Sequence, residues 1–426
     1  MLLFCGYPSI HRSPPTRPQA TMPIPSRALE RRALLGMCIL IAVNQLGFGG
    51  IVPTLPLYAL SFGVSASAIG LAVAVYGLAR FVVAVPSGRI SDALGRRPTL
   101  AIGGLTTALG SIWCAVAETY PEFIAARFIA GAGAGTVLTT GQVVLADITS
   151  PERRGRVIAI YQGTFIFSVG IGPLPGGWLA ETYGLPAPFV ANAIAGTVAG
   201  LVAWFLVPET RALSASPANA RGALSFGRQV RHMMHQLGFM LVGLIGFMNA
   251  LVRTGGLFTI IPVLGSVRLG LSVTEIGFGL AAGSVMGLLT TYPSGMLVDH
   301  FGRKAVIVPA TLLSGLSMLL FCFAPSFEWF LAACIIWGVA TSTGGAAPAS
   351  YAADSAPPGM NAAAMSTFRM MGDFGYVLGP ILVGFIVDAY DAETALVAAA
   401  ASLMVMGLFF GIFAPETHRG NRRLSR

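Results

Sequence analysis

Gly88-Arg-Ile-Ser-Asp92-Ala-Leu-Gly95-Arg96-Arg97 returns as Gly295-Met-Leu-Val-Asp299-His-Phe-Gly302-Arg303-Lys304, 207 residues further along the chain. The same offset maps Pro86 onto Pro293, Asp147 onto Asp354 and Pro151 onto Pro358. It carries Gly172-Pro173 onto Gly379-Pro380, Gly177 onto Gly384, and Pro208-Glu209-Thr210 onto Pro415-Glu416-Thr417. One constant shift held across several loops and helices marks a duplicated half.

What surrounds the repeated stretch sets the solvent. Of 426 residues, 55% are hydrophobic and 10% are charged, against roughly 25% charged in soluble domains. With a mean hydropathy of +0.75, the bilayer is the expected medium. A spanning helix needs about 20 mainly apolar residues. Twelve segments qualify, at 34–57, 66–87, 98–117, 122–145, 157–180, 186–207, 237–263, 274–296, 305–324, 328–350, 362–387 and 392–414. The alternation of a β-barrel is absent, so helices remain to satisfy the backbone in lipid. The expectation is an all-α polytopic membrane protein of two six-helix bundles, 34–207 and 237–414. A cytoplasmic linker, 208–236, joins them. Tails at 1–33, expected to be disordered, and 415–426 flank them. Either Met1 or Met22 can be the start.

The net charge of +9 raises nucleic acid as a partner, but its distribution argues otherwise. Twenty-one of the 26 basic residues fall before the first span, in 89–97, in 153–156, in 208–236, at 303–304 or in the tail. All of these lie on one face of the expected topology. The opposite loops hold Arg268 against Glu118, Glu122, Glu181, Glu328, Asp391 and Glu393. This is the positive-inside bias. It places both termini in the cytoplasm of a plasma-membrane protein and requires an even number of spans. The halves are therefore parallel repeats about an axis along the membrane normal. Five scattered cysteines suggest neither a disulfide framework nor a metal site. His232 and His235 fit a solvated amphipathic helix in the linker.

The repeated stretch has a physical logic of its own. Gly88 lets helices approach. Gly95 permits a sharp turn. Asp92 can accept from free N–H groups at a helix start, and Arg96 with Arg97 anchors the loop to an anionic surface. Both copies resemble the signature loops after the second and eighth spans of the major facilitator superfamily, and the likeness covers about 34–418. The resemblance implies twelve spans, alternating access and cytoplasmic locks. Asp92 would meet the eleventh span just after Asn361, and Asp299 the fifth near Arg156, with Arg96 and Arg303 supporting them. Gly170-Ile-Gly172-Pro173-Leu-Pro175-Gly176-Gly177 resembles the fifth-span element of the antiporter branch. Ser168 and Ala159 stand where that pattern has glycine. Gly379 and Pro380 repeat the core of this element. Arg127, followed by Gly131, Gly133 and Gly135, resembles the fourth-span arginine implicated in proton coupling; snorkelling to the outer interface is the other reading.

Further charges lie within spans, where they are costly and usually functional. They are Arg80, Arg253, and the i,i+4 pair Arg369 and Asp373. Asp373 is the one acidic residue deep in any span. It is either a proton-exchanging group of perturbed pKa or half of a permanent bridge. Asn44, Gln45, Tyr76, Tyr161, Gln162, Phe165, Asn249 and Tyr376 lie at mid-depth and are candidates for the cavity wall. The first and seventh spans are interrupted, by Gly49-Gly50, Pro53 and Pro56 and by Gly255-Gly256 and Pro262. Ser272-Val-Thr-Glu275 reads as a capping box.

The chain is therefore expected to be a secondary transporter, monomeric, with a small-molecule substrate, no cofactor and a proton as coupling ion. No nucleotide-binding loop is present, and an enzyme's convergent acid, base and nucleophile are missing from the spans. One acid beside aromatics suits efflux of drug-like, hydrophobic compounds. Sugar or metabolite transport is the rival, and a non-transporting receptor the remote one.

Overall fold

A computed structural model describes residues 27–149, 154–211, 226–356 and 361–416. The expected tail before Arg27, the linker between 211 and 226 and the C-terminal tail after 416 lie outside them. So do the side chains of Arg156, Asp299 and Asn361, and with them the expected Asp299 lock. Every regular element among the described residues is a helix. The elements are α1 (Arg27–Ile51), α2 (Leu55–Leu60), α3 (Ala66–Leu94), α4 (Arg96–Val116), α5 (Tyr120–Ile148), α6 (Arg154–Ile171), α7 (Pro173–Tyr183) and α8 (Ala187–Phe205). A linker helix, α9 (Phe226–Met234), follows. The second half holds α10 (Leu237–Val252), a π-helical segment (Arg253–Ile260), α11 (Ile261–Val267), α12 (Val273–Phe301), α13 (Arg303–Phe323), α14 (Phe327–Asp354), α15 (Asn361–Ala389) and α16 (Ala392–Phe413).

Among the described residues, eleven helices are long and apolar enough to cross a membrane. The remaining expected span, 157–180, is formed by α6 and α7, which meet at Gly172. Pro173 has no N–H to donate, which leaves the turn before it one hydrogen bond short, whereas the equivalent Pro380 lies inside an unbroken α15. The first span breaks after Ile51. The seventh passes through π geometry over its Gly255-Gly256 pair, and Thr259 Oγ1 donates to the Thr254 carbonyl at 2.7 Å. The tail expected up to residue 33 is shorter than that, because Arg27-Ala-Leu-Glu-Arg-Arg contains strong helix formers and already belongs to α1.

Large apolar side chains face outward, among them Leu109, Phe385 and Ile412. Exposure of this kind is costly in water and neutral in lipid. Small residues let the helices close-pack within each half, α4 against α5 and α8, and α12 and α13 against α14. The halves meet through two crossings, α3 with α15 and α12 with α7.

Candidate functional site: a cavity sealed at one end

At the signature end the chain turns through Gly95 at φ 106° and Gly302 at φ 93°, a region that favours glycine. Arg96, 2% exposed, follows the first turn. Its Nε donates to Asp147 Oδ2 at 3.0 Å, and its Nη1 to Asp92 Oδ1 at 2.8 Å and to the Ser91 carbonyl at 2.9 Å. Glu209 accepts from the backbone N–H groups of Arg96 at 3.0 Å and Arg97 at 3.1 Å, capping α4. Burial alone would raise the Glu209 carboxyl; these donors outweigh it and hold the group below its ordinary range.

The second half repeats the arrangement. Arg303 Nε lies 2.9 Å from Asp354 Oδ2, and Glu416 accepts from the backbone of Arg303 and Lys304. The repeated Asp147/Asp354 and Glu209/Glu416 thus belong to the signature itself, joined across more than 50 residues of sequence. Because breaking a buried ion pair strands its partner, at about 3–5 kcal/mol, Arg96→Met should markedly lower the thermal midpoint in detergent. An unchanged midpoint would remove the structural role. Asp92 is itself 72% exposed and accepts from Arg96 within its own loop; the start of α15 that it was expected to meet, from Asn361, lies outside the residues whose side chains are described.

The opposite end is sealed. Each half presents a glycine-bearing helix start to a proline-bearing helix of the other. A Cβ at Gly70 would run into the Pro380 carbonyl oxygen, and one at Gly277 into the Pro173 carbonyl oxygen. Gly384 lies against Ala66 and Ser67, and Gly177 against Val273 and Thr274. All four contacts obey the 207-residue shift. So do two carboxylates that close the outermost layer. Asp388 accepts from Ala66 N at 2.7 Å and Ser67 N at 2.9 Å, and Glu181 from Thr274 N at 3.3 Å. Each therefore caps a helix of the other half.

Replacing the Asp388 cap, as in Asp388→Ala, should raise the fraction open at this end by roughly threefold to tenfold, read as cysteine labelling from that side. Hydrogen bonding to Thr274 holds the Glu181 carboxyl below its ordinary value of 4.5. A depressed pKa ties the ionised form to the sealed state. Glu181 therefore supports the seal above 4.5 and loses this effect as pH falls through the lowered value. Labelling at this end should rise in acid, and a flat profile would remove Glu181 from the seal.

Between seal and signature loops lies a cavity of about 690 Å³, within the size range of small-molecule sites. The two halves line it jointly. Gln142, Tyr161, Gln162 and Phe165 come from the first half, and Asn249, Arg253, Ser314, Thr341, Arg369, Asp373 and Tyr376 from the second. It opens toward the signature end, where Cβ atoms at Gly345 and Gly372 would meet only open space.

Five of the eight candidate wall residues therefore line the cavity: Tyr161, Gln162, Phe165, Asn249 and Tyr376. The other three do not. Asn44 and Gln45 are buried inside the first bundle. Tyr76 is sealed beneath Arg127, stacked on Phe48 with centroids 5.0 Å apart. Mid-depth polarity identifies residues that avoid lipid, and helix packing satisfies that as well as a cavity does. Gln142, Ser314 and Thr341 escaped notice because Ser, Thr and Gln scattered along a span carry no periodic signal.

Asp373 is half exposed to the cavity rather than buried, with its Oδ2 4.0 Å from Arg369 Nε. Arg127 does not snorkel. It is 2% exposed, with its guanidinium 4.5 Å from the Tyr76 ring centroid and its Nε donating to the Ala72 carbonyl at 3.2 Å. The guanidinium of Arg80 lies 5.9 Å from the Tyr376 ring centroid.

Two parallel helical bundles, a cavity shared between them and a seal at one end define a polytopic membrane carrier. The sequence profile of the Major Facilitator Superfamily matches residues 37–288 and 242–426, and the chain belongs to that superfamily of transporters. It is 29% identical to the class C tetracycline resistance protein of Escherichia coli, over 69% of this chain and 74% of that one. It is 23% identical to the quinolone resistance protein NorA of Staphylococcus aureus, over 84% and 90%. Among solved structures, a bacterial homologue of the human lysosomal transporter Spinster, inward-facing and unoccupied, superposes with a TM-score of 0.77. That pair is 16% identical over 91% of this chain and 97% of the other; it supports the fold alone.

Proposed function

We propose that the protein is a proton-coupled secondary transporter that expels small, drug-like amphipathic compounds across the plasma membrane by alternating access. The observation that carries this reading is the shared cavity with the lone carboxylate Asp373 on its wall, open at one end and sealed at the other. The positive-inside bias makes the open end cytoplasmic, along with both termini, so the conformation is the loading state of an exporter. The drug-resistance relatives support the direction. Asp373 and Arg369 form the coupling pair, with the proton as coupling ion, and the signature loops with Asp92 and Asp299 lock the cytoplasmic end once loaded. Expression in an efflux-deficient host should lower accumulation of some members of a dye and drug panel, and an uncoupler should restore it. Accumulation unaffected by expression across the panel would count against export.

A further inference from the structure

We propose that the cavity is built for an organic anion with an apolar, ring-sized body. This rests on reading the cavity as the transport site, but not on the direction of transport or its coupling to protons. Two guanidinium groups, Arg253 and Arg369, line the cavity against one carboxylate, Asp373. A third, Arg80, stands behind Tyr376, within electrostatic reach of Arg253. Asp373 is already placed beside Arg369 at 4.0 Å. Among the described residues no carboxylate lies within ion-pair distance of Arg253 or Arg80, although Asp373 also acts on Arg253 through space, and no span holds another deep acid to supply one. The cavity thus carries excess positive charge at the depth where charge is most expensive.

An unpaired guanidinium there is an anion site by its own chemistry. Its planar fork matches carboxylate, sulfonate or phosphate oxygens two at a time, and loss of water as the cavity closes would strengthen the match. Arg253 is also the first residue of the π-helical segment, an irregularity frequent at functional sites. Phe165, Met365 and Phe368 supply apolar wall for the rest of the molecule. A lipophilic cation would meet repulsion. A single acid in the spans would suit cationic cargo, but Arg369 and Arg253 share the cavity wall with it and Arg80 stands behind Tyr376. An anion leaving an interior-negative cell in exchange for a proton moves two charges with the membrane potential, so anionic cargo agrees with export.

The test uses full-length protein in proteoliposomes without ion gradients, measuring exchange of carboxyfluorescein as the anion and tetraphenylphosphonium as the cation. Saturable exchange of the anion, uninhibited by the cation, is expected. Arg253→Gln should raise its half-saturation concentration roughly tenfold to a hundredfold. Arg253→Lys should raise it less, since a point charge keeps attraction without the fork. Refusal of the anion by the wild-type protein, which needs no variant to fold, overturns the proposal. So does an Arg253→Gln protein of unchanged size-exclusion profile that exchanges the anion as well as wild type. Failure of the export reading alone looks different: anion exchange persists, while an imposed proton gradient does not drive the anion outward.

Discussion

Asp373→Asn should reduce proton-gradient-driven transport to the level seen with an uncoupler while leaving substrate exchange near the wild-type rate. Asp373 lies one helical turn from Arg369, and both side chains are about half exposed, 52% and 50%, in the open cavity. At 4.0 Å the pair is loosely held and shares the water of the cavity. Closing the signature end would expel that water. A carboxylate inside a span, with a cation beside it and solvent access that changes between states, suits a carrier of the coupling proton. Asparagine keeps the size and hydrogen bonding of the side chain and cannot titrate. Exchange needs no net proton movement and should survive. Driven transport that persists unchanged in Asp373→Asn would make the pair a structural bridge.

Gly70→Leu should abolish both driven transport and exchange, which separates it from the coupling variant. At Gly70 the side chain would meet the carbonyl oxygen of Pro380, which is backbone of a packed helix and has little room to retreat. Overpacking of this kind costs ~1–3 kcal/mol, and that cost falls only on the sealed state, shifting the balance by roughly fivefold to a hundredfold. The protein should accumulate open at the sealed end. Labelling of a cysteine placed at Gly372 should then decline from the signature side, as the cavity mouth spends less time open. Gly277→Leu tests the equivalent contact with Pro173. Normal exchange in either variant would show that the seal tolerates the bulk and does not govern the cycle.

Much of this was legible in the sequence. The 207-residue shift marked out the halves, and hydropathy with Pro173 and Gly255-Gly256 pointed to the spans and their interruptions. The capping box at Ser272 forms as read, with Glu275 N donating to Ser272 Oγ at 3.2 Å. The seal was half visible. Pro173/Pro380 and Gly177/Gly384 are paired by the shift, but their partners Gly70/Gly277 and Ala66/Val273, related by the same offset, belong to no motif that marks them. A repeat shows which residues are equivalent and leaves open which touch, because the contacts join opposite halves. The cavity wall was least legible. Tyr76 and Tyr161 have the same chemistry at similar depth, yet helix rotation buries one beneath Arg127 and lets the other reach the cavity. Rotation is set by packing, and the packing codes of the two residues look alike.

The two crossings are copies in shape and differ in electrical content. Arg80 lies on α3, Arg369 and Asp373 on α15, and Arg127 packs on α3 through Ala72 and Tyr76. The other crossing has no charged residue between 157 and 180 on one side or between 276 and 298 on the other. In a symmetric ancestor any change would have struck both crossings at once. Fused into one chain, they are inherited separately. One could gather the charge of the spans, while the other stayed a dry bearing, free to keep its fit because it carries none.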